Sequence, residues 1–273
     1  MLLAVDIGNT NIVFGLYRGS TLVHTLRVST VRTRTEDEYG VLLLELLALR
    51  GVDRASIDAA IVASVVPPLT DVLADAIRNA FAREPLIVGV GLKTGLPVLY
   101  ENPREVGADR IVNAVAAFER VRGPVIVVDF GTATTFDCIS PKGEYLGGVI
   151  VPGIQVSLEG LIASAAKLSR IELVAPPRVL GRNTANALQS GVIIGHAAMV
   201  DGMLDRLEAE LGYESQVIGT GGLSVLISKH TRRLTTLDVN LTLDGLRILH
   251  ERNAQLAAAP RGTAKKPRTR NAS

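Results

Sequence analysis

The spacing of apolar and polar residues along the chain predicts strands that alternate with helices. Three apolar or alternating runs separated by turn residues predict three strands within the first thirty residues. Longer stretches in which apolar residues recur every three or four positions predict helices. Further strands are predicted near 58–66, 85–90, 124–131, 134–140, 146–153 and 216–222, and helices near 36–50, 69–83, 105–122, 153–168, 183–210 and 242–253. This order is typical of an α/β protein.

The first strands of the chain are repeated in its second half. The segment LLAVDIGNTNIVFGLYRGSTLV (2–23) aligns with VIVVDFGTATTFDCISPKGEYL (125–146) at an offset of 123 residues. In this alignment Asp6 falls on Asp129, Gly8 on Gly131 and Asn9 on Thr132. Each copy runs from a buried strand into an Asp-x-Gly turn and on into two more strands. We therefore predict a duplicated domain with two facing copies of the turn.

The composition narrows the class of protein. With 273 residues, 47% of them hydrophobic, the chain can form one large domain or two of ordinary size. The single cysteine, Cys138, excludes an intramolecular disulfide and favours the cytoplasm. We expect no signal peptide or membrane anchor, because Asp6 interrupts the first apolar stretch and no apolar run approaches the ~20 residues of a spanning helix. The last twenty residues carry five basic side chains and no acid, which predicts a disordered basic tail.

The two Asp-x-Gly turns have the chemistry of a phosphate site. Glycines after a strand let backbone N–H groups approach a phosphate closely, and the hydroxyls of Thr10, Thr132 and Thr134 add short donors. An aspartate at the strand end is a hard oxygen ligand that suits Mg²⁺ bound to nucleotide phosphates. A single such turn is explained equally well as a polar hairpin corner. The matched pair favours two walls that hold a triphosphate.

A second candidate site opens the helix predicted near 105–122. In Val106-Gly107-Ala108-Asp109-Arg110 the free N–H groups and the positive end of the helix dipole favour an anion such as a substrate carboxylate. Arg110 could add a charge-assisted hydrogen bond. Asp109 could accept a hydrogen bond from a substrate hydroxyl and orient it for phosphoryl transfer. The alternative is that Asp109 only complements the helix dipole.

Longer motifs support a more specific interpretation. They are DIGNTNIVFG (6–15), EDEYG (36–40), SVVPP (64–68), KTGLPVLYENPREVGADRIVNAVAA (93–117), VVDFGTATTFD (127–137), GGVIVPGI (147–154) and GRNTANALQSG (181–191). With these motifs in this order, the chain resembles the type III pantothenate kinases, which belong to the superfamily of actin, Hsp70 chaperones and sugar kinases. The YENPREVGADRIVNA block is highly specific, whereas the Asp-x-Gly turns mark only the superfamily.

The resemblance implies a fold and an activity. The fold would be a duplicated ribonuclease H-like domain of the actin/Hsp70 type, with halves at 1–120 and 121–255, a nucleotide cleft between them and a basic tail at 256–273. The activity would be ATP-dependent phosphorylation of pantothenate, the first step of coenzyme A biosynthesis. The implied cofactors are Mg²⁺ with ATP and a monovalent cation, K⁺ or NH₄⁺. A cytoplasmic homodimer is expected, with no membrane contact and no nucleic-acid partner.

The resemblance also implies roles for individual residues. Asp109 would be the catalytic base, and Asp129 would sit at the monovalent cation site. ATP would be contacted by Asp6, Ile7, Gly8, Asn9, Thr10, Asn11, Ile12, Val13 and Thr132. Pantothenate would be contacted by Tyr100, Gly107, Ala108, Asp109, Arg110 and Thr184.

Other interpretations of the sequence stay open. A nonenzymatic relative with a role in gene regulation is one, and the basic tail is the feature that favours it. An actin-like or chaperone ATPase is another, but the Gly107–Arg110 helix start has no obvious use there. The turn Gly219-Thr220-Gly221-Gly222 could pack against a nucleoside or could simply join a strand to a helix. The four histidines show no zinc-ligand spacing.

Overall fold

A computed structural model describes residues 1–165 and 168–258. Two five-stranded mixed sheets and their helices confirm the α/β class. The first sheet contains β1 (Leu2–Ile7), β2 (Asn11–Arg18), β3 (Thr21–Ser29), β4 (Ala59–Ser64) and β5 (Leu86–Ile87), in the order β3-β2-β1-β4-β5. The second contains β6 (Val125–Phe130), β7 (Ala133–Ile139), β8 (Tyr145–Pro152), β9 (Gln216–Thr220) and β10 (Thr236–Leu237), in the order β10-β9-β6-β7-β8.

Eight α-helices are present in the described part of the chain. They are α1 (Glu36–Ala48), α2 (Pro67–Phe81), α3 (Ala108–Val121), α4 (Ile154–Ser164), α5 (Thr184–Gln189), α6 (Gly195–Leu211), α7 (Ser224–Ser228) and α8 (Leu241–Ala258). Helix α2 includes Pro67 and Pro68, which were expected to precede it, because the first turn of a helix needs no backbone donor there. Helix α8 runs five residues beyond its predicted end, into the predicted tail. Residues 259–273 of that tail lie outside the described residues.

Three apolar cores hold the layers together. The first core fills the space between the two sheets, where Ala4 and Ala63 of the first sheet and Val127 of the second pack with residues of α3 and α8. The second core lies on the other face of the first sheet against α1 and α2. The third lies on the other face of the second sheet, largely against α6. The inner faces of both sheets therefore point toward α3 and α8.

The repeated turns differ in length by one residue. Ile7 pairs with Ile12, which leaves residues 8–11 as the first turn, whereas Phe130 pairs with Thr134, which leaves residues 131–133 as the second turn. The ungapped alignment of the two segments therefore fails after the turn. Opposite Asp6 lies Val13, and opposite Asp129 lies Thr135 rather than Phe136.

One helical stretch is unusually apolar. Helix α5, a π-helical turn at Ser190–Ile194 and α6 are continuous, and together they are long and apolar enough to cross a membrane by length and composition. By that criterion the expectation that no stretch is long enough was wrong. The apolar side chains Ile193, Ala197, Val200 and Leu204 of this stretch are fully buried against the second sheet. A core helix passes the same test.

Candidate active site

The first turn is fixed by bonds to the end of β3. The backbone N–H of Gly8 donates to the Asn11 carbonyl at 3.0 Å. The Thr30 hydroxyl donates to the Gly8 carbonyl at 2.7 Å, and the Thr30 N–H donates to the Thr10 carbonyl at 3.0 Å. Arg32 donates from Nη2 to the Asn9 Oδ1 at 2.9 Å. The turn that follows Asp6 is thus held on both sides and presents a defined set of backbone groups.

The second turn is packed even more closely by glycines. The Gly153 N–H donates to the Thr132 carbonyl at 3.0 Å, and a Cβ atom at Gly153 would come within 2.3 Å of that oxygen. A Cβ atom at Gly221 would lie 2.4 Å from Oδ1 of Asp129, and the φ of Gly221 is +87°. The glycine pair at 221–222 therefore joins β9 to α7 and also lies directly against the Asp129 carboxylate.

The two turns meet at their threonines. The Thr10 and Thr132 hydroxyl oxygens are 3.0 Å apart and form a hydrogen bond between the first and second turns. Both side chains belong to exposed residues. The predicted facing of the two turns is therefore present in the structure.

The Asp109 carboxylate influences the charge of two buried aspartates from other elements, Asp6 and Asp129. Burial and the carboxylates of Asp109 and Asp129 raise the pKa of Asp6 to about 8, and the Arg27 guanidinium partly opposes that rise. Burial and the charges of Asp109 and Asp137 raise the pKa of Asp129 to about 7. Perturbed carboxylates that converge from β1, α3 and β6 are typical of a functional site.

A chain of hydrogen bonds orients Asp129. The Thr242 hydroxyl of α8 donates to the Asn113 Oδ1 at 2.7 Å, and Asn113 Nδ2 donates to the Asp129 Oδ2 at 3.0 Å. Because the hydroxyl fills the acceptor side of the amide, the donor side must face Asp129. The bond from Asn113 favours the ionised carboxylate and opposes the rise of its pKa.

Asp109 lies at the start of α3, as predicted. Its Oδ1 accepts a hydrogen bond from the Arg110 backbone N–H at 2.8 Å. One of the N–H groups that have no partner within the first turn of the helix is therefore bonded to Asp109 itself. A Cβ atom at Gly107 would lie 2.5 Å from that Oδ1, so glycine makes this geometry possible. Burial raises the pKa of Asp109 despite the bond from Arg110. A carboxyl with a raised pKa is a better proton acceptor at neutral pH.

Arg110 is held in a buried network that the sequence did not predict. Its Nε donates to Asp137 Oδ1 at 2.7 Å, and the Tyr145 hydroxyl donates to the same oxygen at 2.7 Å. Thr135 donates to the other carboxylate oxygen at 3.2 Å. The guanidinium also lies 5.9 Å from the Tyr145 ring centroid, and the Tyr100 ring lies 6.4 Å from that ring. Asp137, itself fully buried, fixes the orientation of the arginine.

The structure separates some of the predicted contact residues from the rest. Ile7 and Ile12 are fully buried in the core on the outer face of the first sheet, so only their backbone could contact a nucleotide. Thr184 is exposed at the start of α5, and among the described residues no hydrogen bond joins it to Tyr100 or Arg110.

Val13 lies on β2 and packs into the core between the sheets. Thr134, predicted to bind phosphate, is fully buried on β7, and its hydroxyl oxygen lies 2.9 Å from Nε2 of His196. The other predicted residues lie on or next to the two turns or around the start of α3.

The donor atoms at the site suit a hard cation that has further ligands. Asp6 and Asp129 supply carboxylate oxygens, which Mg²⁺ prefers, and a cation would offset the burial and the neighbouring negative charges that raise their pKa. Within residues 1–165 and 168–258, no three His, Cys, Asp or Glu side chains could hold a metal ion alone. A cation here would therefore take other ligands from phosphate and water.

Asp137, Tyr145 and Asn113 are the residues of this site to which sequence reasoning assigned no role. A signal was present for Asp137, because a carboxylate inside a predicted buried strand requires a partner. No comparable signal pointed to Tyr145, whose contact with Arg110 depends on the pairing of β7 with β8.

Known proteins of one family are similar to most of this chain. Residues 2–206 match the family model described as type III pantothenate kinase. The type III pantothenate kinase of Anaeromyxobacter dehalogenans is 55% identical over 253 residues, which cover 93% of this chain and 100% of that protein. The enzyme of that name from Myxococcus xanthus is 52% identical over 253 residues, which cover 93% and 99%.

Among solved structures, the chain is similar to a Baf family transcriptional activator from Campylobacter jejuni. The TM-score is 0.58 at 19% sequence identity, and the match covers 93% of this chain and 99% of that one. At this identity the likeness concerns the fold alone.

Proposed function

The chain belongs to the type III pantothenate kinase family, and we propose that Asp109 is the base with which it transfers the γ-phosphate of ATP to pantothenate. The observation that carries the assignment is the convergence of Asp6, Asp109 and Asp129 from three elements, where burial and then the Asp109 carboxylate raise the pKa of both Asp6 and Asp129. This family phosphorylates pantothenate with ATP and so begins coenzyme A biosynthesis.

The reaction needs one proton acceptor and a site for the triphosphate. The pantothenate hydroxyl oxygen forms a bond to the γ-phosphorus while the bond from that phosphorus to the β–γ bridging oxygen breaks, and ADP leaves. Asp109 accepts the hydroxyl proton, and its raised pKa helps it to hold that proton. The backbone groups of the first turn, with Thr10 and Thr132, bind phosphate oxygens.

The acceptor pocket lies at the start of α3. Arg110 binds the pantothenate carboxylate, while Asp137 accepts a hydrogen bond from its Nε and is itself held by the Tyr145 hydroxyl. Gly107 and Ala108 supply the backbone at the start of the helix, and the Tyr100 ring forms a wall. A charged donor fixed by a buried carboxylate suits recognition of a carboxylate.

The fold proposed for this activity is the duplicated one. The two sheets have the same strand order around β1 and β6, which supports halves at 1–120 and 121–255 and a nucleotide cleft between them. Helix α8 packs against the first sheet, where Asp244 accepts a hydrogen bond from Tyr17 at 2.7 Å. Because the Thr10–Thr132 bond closes the gap between the turns, ATP must separate the halves slightly on entry.

Cations complete the proposed site. Mg²⁺ would bind with ATP at the Asp6 turn, and K⁺ or NH₄⁺ would bind at Asp129. When bound, these cations would neutralise negative charge on the phosphates. The hydrogen bond from Asn113 keeps the Asp129 carboxylate oriented for that purpose.

We further propose a cytoplasmic homodimer formed through the second half. Large apolar side chains are exposed there, among them Ile150 (63%), Val179 (70%) and Leu180 (76%). A second copy is also a means by which an exposed Thr184 reaches an acceptor pocket. We expect Ile150→Lys to convert the dimer to a single chain with little change in its folding, measured by light scattering. A wild-type protein that is monomeric at micromolar concentration would contradict the dimer.

The decisive experiment follows ADP release with and without pantothenate, in KCl, in NH₄Cl and in NaCl. We expect turnover that depends on pantothenate and is faster in KCl. An absence of pantothenate-dependent turnover in K⁺ and in NH₄⁺ would refute the assignment of pantothenate kinase activity. Equal rates in KCl and NaCl would refute only the proposed requirement for K⁺ or NH₄⁺, and not the kinase activity. No nucleic-acid partner is proposed.

A further inference from the structure

We propose that Arg27 binds the phosphate groups of the nucleotide and reaches across from the first half to the second. The inference rests on the proposed function, because ATP is the ligand. It adds a residue to which neither the family resemblance nor the sequence motifs give a role. Three observations carry it, namely the strand register, the neighbour of Arg27 on the opposite side, and the surrounding charge.

The register of the first sheet places Arg27 in line with Asp6. Asp6 lies opposite Val13 on β2, and Val13 lies opposite Arg27 on β3. Residues that are directly opposite one another on neighbouring strands point to the same face of a sheet. Val13 packs into the core between the two sheets. The Arg27 side chain therefore leaves the sheet on the inner face, two strands from Asp6.

The guanidinium reaches the second half of the chain. Nη1 of Arg27 lies 3.9 Å from the position that a Cβ atom would take at Gly222. The preceding residue, Gly221, lies against the Asp129 carboxylate. Arg27 therefore ends between the carboxylate of the first turn and the glycine pair beside the second. The absence of a side chain at Gly222 leaves room there for a ligand.

The charge of Arg27 is available for a ligand. Arg27 is exposed, and across the described parts of the chain its side chain forms no hydrogen bond or ion pair. It is nevertheless close enough to lower the pKa of Asp6. A triphosphate bound near Asp6, Asp109 and Asp129 would be repelled by their carboxylates. A planar guanidinium, which can donate two parallel hydrogen bonds to phosphate, offsets that repulsion.

An ordinary surface arginine is the alternative, and Arg18 represents it. Arg18 is also exposed in the first sheet, but it lies at the opposite end of β2 and pairs with Thr21. A substitution of Arg18 removes the same charge from the same sheet without touching the turns. It is therefore the matched control for Arg27.

The experiment measures binding of ATP, ADP and adenosine by calorimetric titration to the wild type and to the variants Arg27→Ala, Arg27→Lys and Arg18→Ala. We expect Arg27→Ala to weaken ATP and ADP by roughly 10- to 100-fold, the usual effect of losing a charged hydrogen bond. Adenosine should bind unchanged, because it has no phosphate. Lysine should restore part of the loss, and Arg18→Ala should stay within about twofold of the wild type.

Two outcomes would overturn the inference. One is an Arg27→Ala variant that binds ATP as tightly as the wild type. The other is an equal loss for adenosine, which would show a structural effect. If the alanine variant fails to fold, Arg27→Gln provides the same test. A wild-type protein that binds ATP but never phosphorylates pantothenate would refute the proposed function and leave the Arg27 result to be decided by these titrations.

Discussion

The two sheets share a strand order, yet equivalent rows of residues across them end in opposite kinds of side chain. In the first sheet the row runs from Asp6 through Val13 to Arg27. In the second it runs from Asp129 through Thr135 to Ile150, which is 63% exposed. One row presents a cation, and the other presents an apolar surface. The first half is thereby suited to a charged ligand, and the second to contact with another protein surface.

The two aspartates that begin these rows also differ in their support. Asp129 accepts a hydrogen bond from Asn113, whereas the Asp6 side chain accepts none among the described residues. Burial raises the pKa of both groups, and the hydrogen bond from Asn113 opposes that rise at Asp129 alone. The negative charge of Asp129 is already stabilised by a hydrogen bond within the protein, whereas that of Asp6 depends more on a bound ligand or cation. Two sheets with the same strand order can therefore place an aspartate at the same point while the neighbours of that aspartate differ.

The largest effect is expected at Asp109, which lies on α3 and in neither row. Asp109→Asn should lower kcat roughly 1,000-fold because the pantothenate hydroxyl loses its proton acceptor. ATP affinity should stay within about threefold of the wild type. Asp37→Asn, in the first turn of α1, is a matched control that should leave kcat unchanged. An equal loss of ATP affinity would show that Asp109 supports the phosphate site instead.

The next largest effect is expected at Asp137, the residue of the second half that accepts a hydrogen bond from Arg110. Asp137→Asn should raise the KM for pantothenate about tenfold, because a neutral amide holds the Arg110 guanidinium less firmly than a carboxylate. Pantothenol, which has the same hydroxyl but no carboxylate, should show no change. The KM for ATP should also be unaffected, since the phosphate site lies elsewhere.

Tyr145→Phe removes one hydrogen bond to Asp137 and should cause the same change on a smaller scale. A lower KM for pantothenate in Asp137→Asn would show that Asp137 acts by neutralising charge, which contradicts an orienting role. Equal losses for pantothenate and pantothenol would indicate a general structural defect.

The sequence predicts the fold better than it predicts the site. Hydrophobic periodicity located most of the strands, because burial of alternate residues leaves a pattern in the chain. It could not place the register after the second turn, where one residue fewer shifts Phe136 away from Asp129. The Arg110–Asp137 contact and the position of Arg27 depend on how strands from distant segments pair. No local pattern contains that information.

A third effect is the pH dependence of stability. The folded pKa values of Asp6 and Asp129 lie above the usual value of 3.8, so the folded state binds more protons than the unfolded state between that pH and about 8. The contribution of these groups to stability is therefore complete below about pH 4 and is lost as the pH rises through 7 and 8. We expect the Tm of the ligand-free protein to fall between pH 5 and pH 8.5.

Substitution should then separate the two aspartates. Asp6→Asn should raise the Tm at pH 8.5 by roughly 5 °C and flatten the pH profile, because it removes the less supported charge. Asp129→Asn should raise the Tm at pH 8.5 by a smaller amount, because Asn113 already stabilises the charge of Asp129. Calorimetric scans at both pH values make the measurement. A steeper profile for Asp6→Asn would contradict the raised pKa of Asp6.

The smallest effect tests the point where the two turns meet. Thr10→Ala and Thr132→Ala each remove one donor to phosphate, but each also removes the Thr10–Thr132 bond that ATP must break. The two consequences partly cancel, so each variant should weaken ATP binding only about threefold.

The double variant loses both phosphate donors, but there is only one Thr10–Thr132 bond, so the free energy of breaking that bond is saved only once. Its loss of binding free energy should therefore exceed the sum of the single losses, by about 1 kcal/mol. Strictly additive losses would mean that each hydroxyl contributes to ATP binding independently and that the Thr10–Thr132 bond need not break. No loss in any variant would mean that the turns bind ATP through their backbone groups alone.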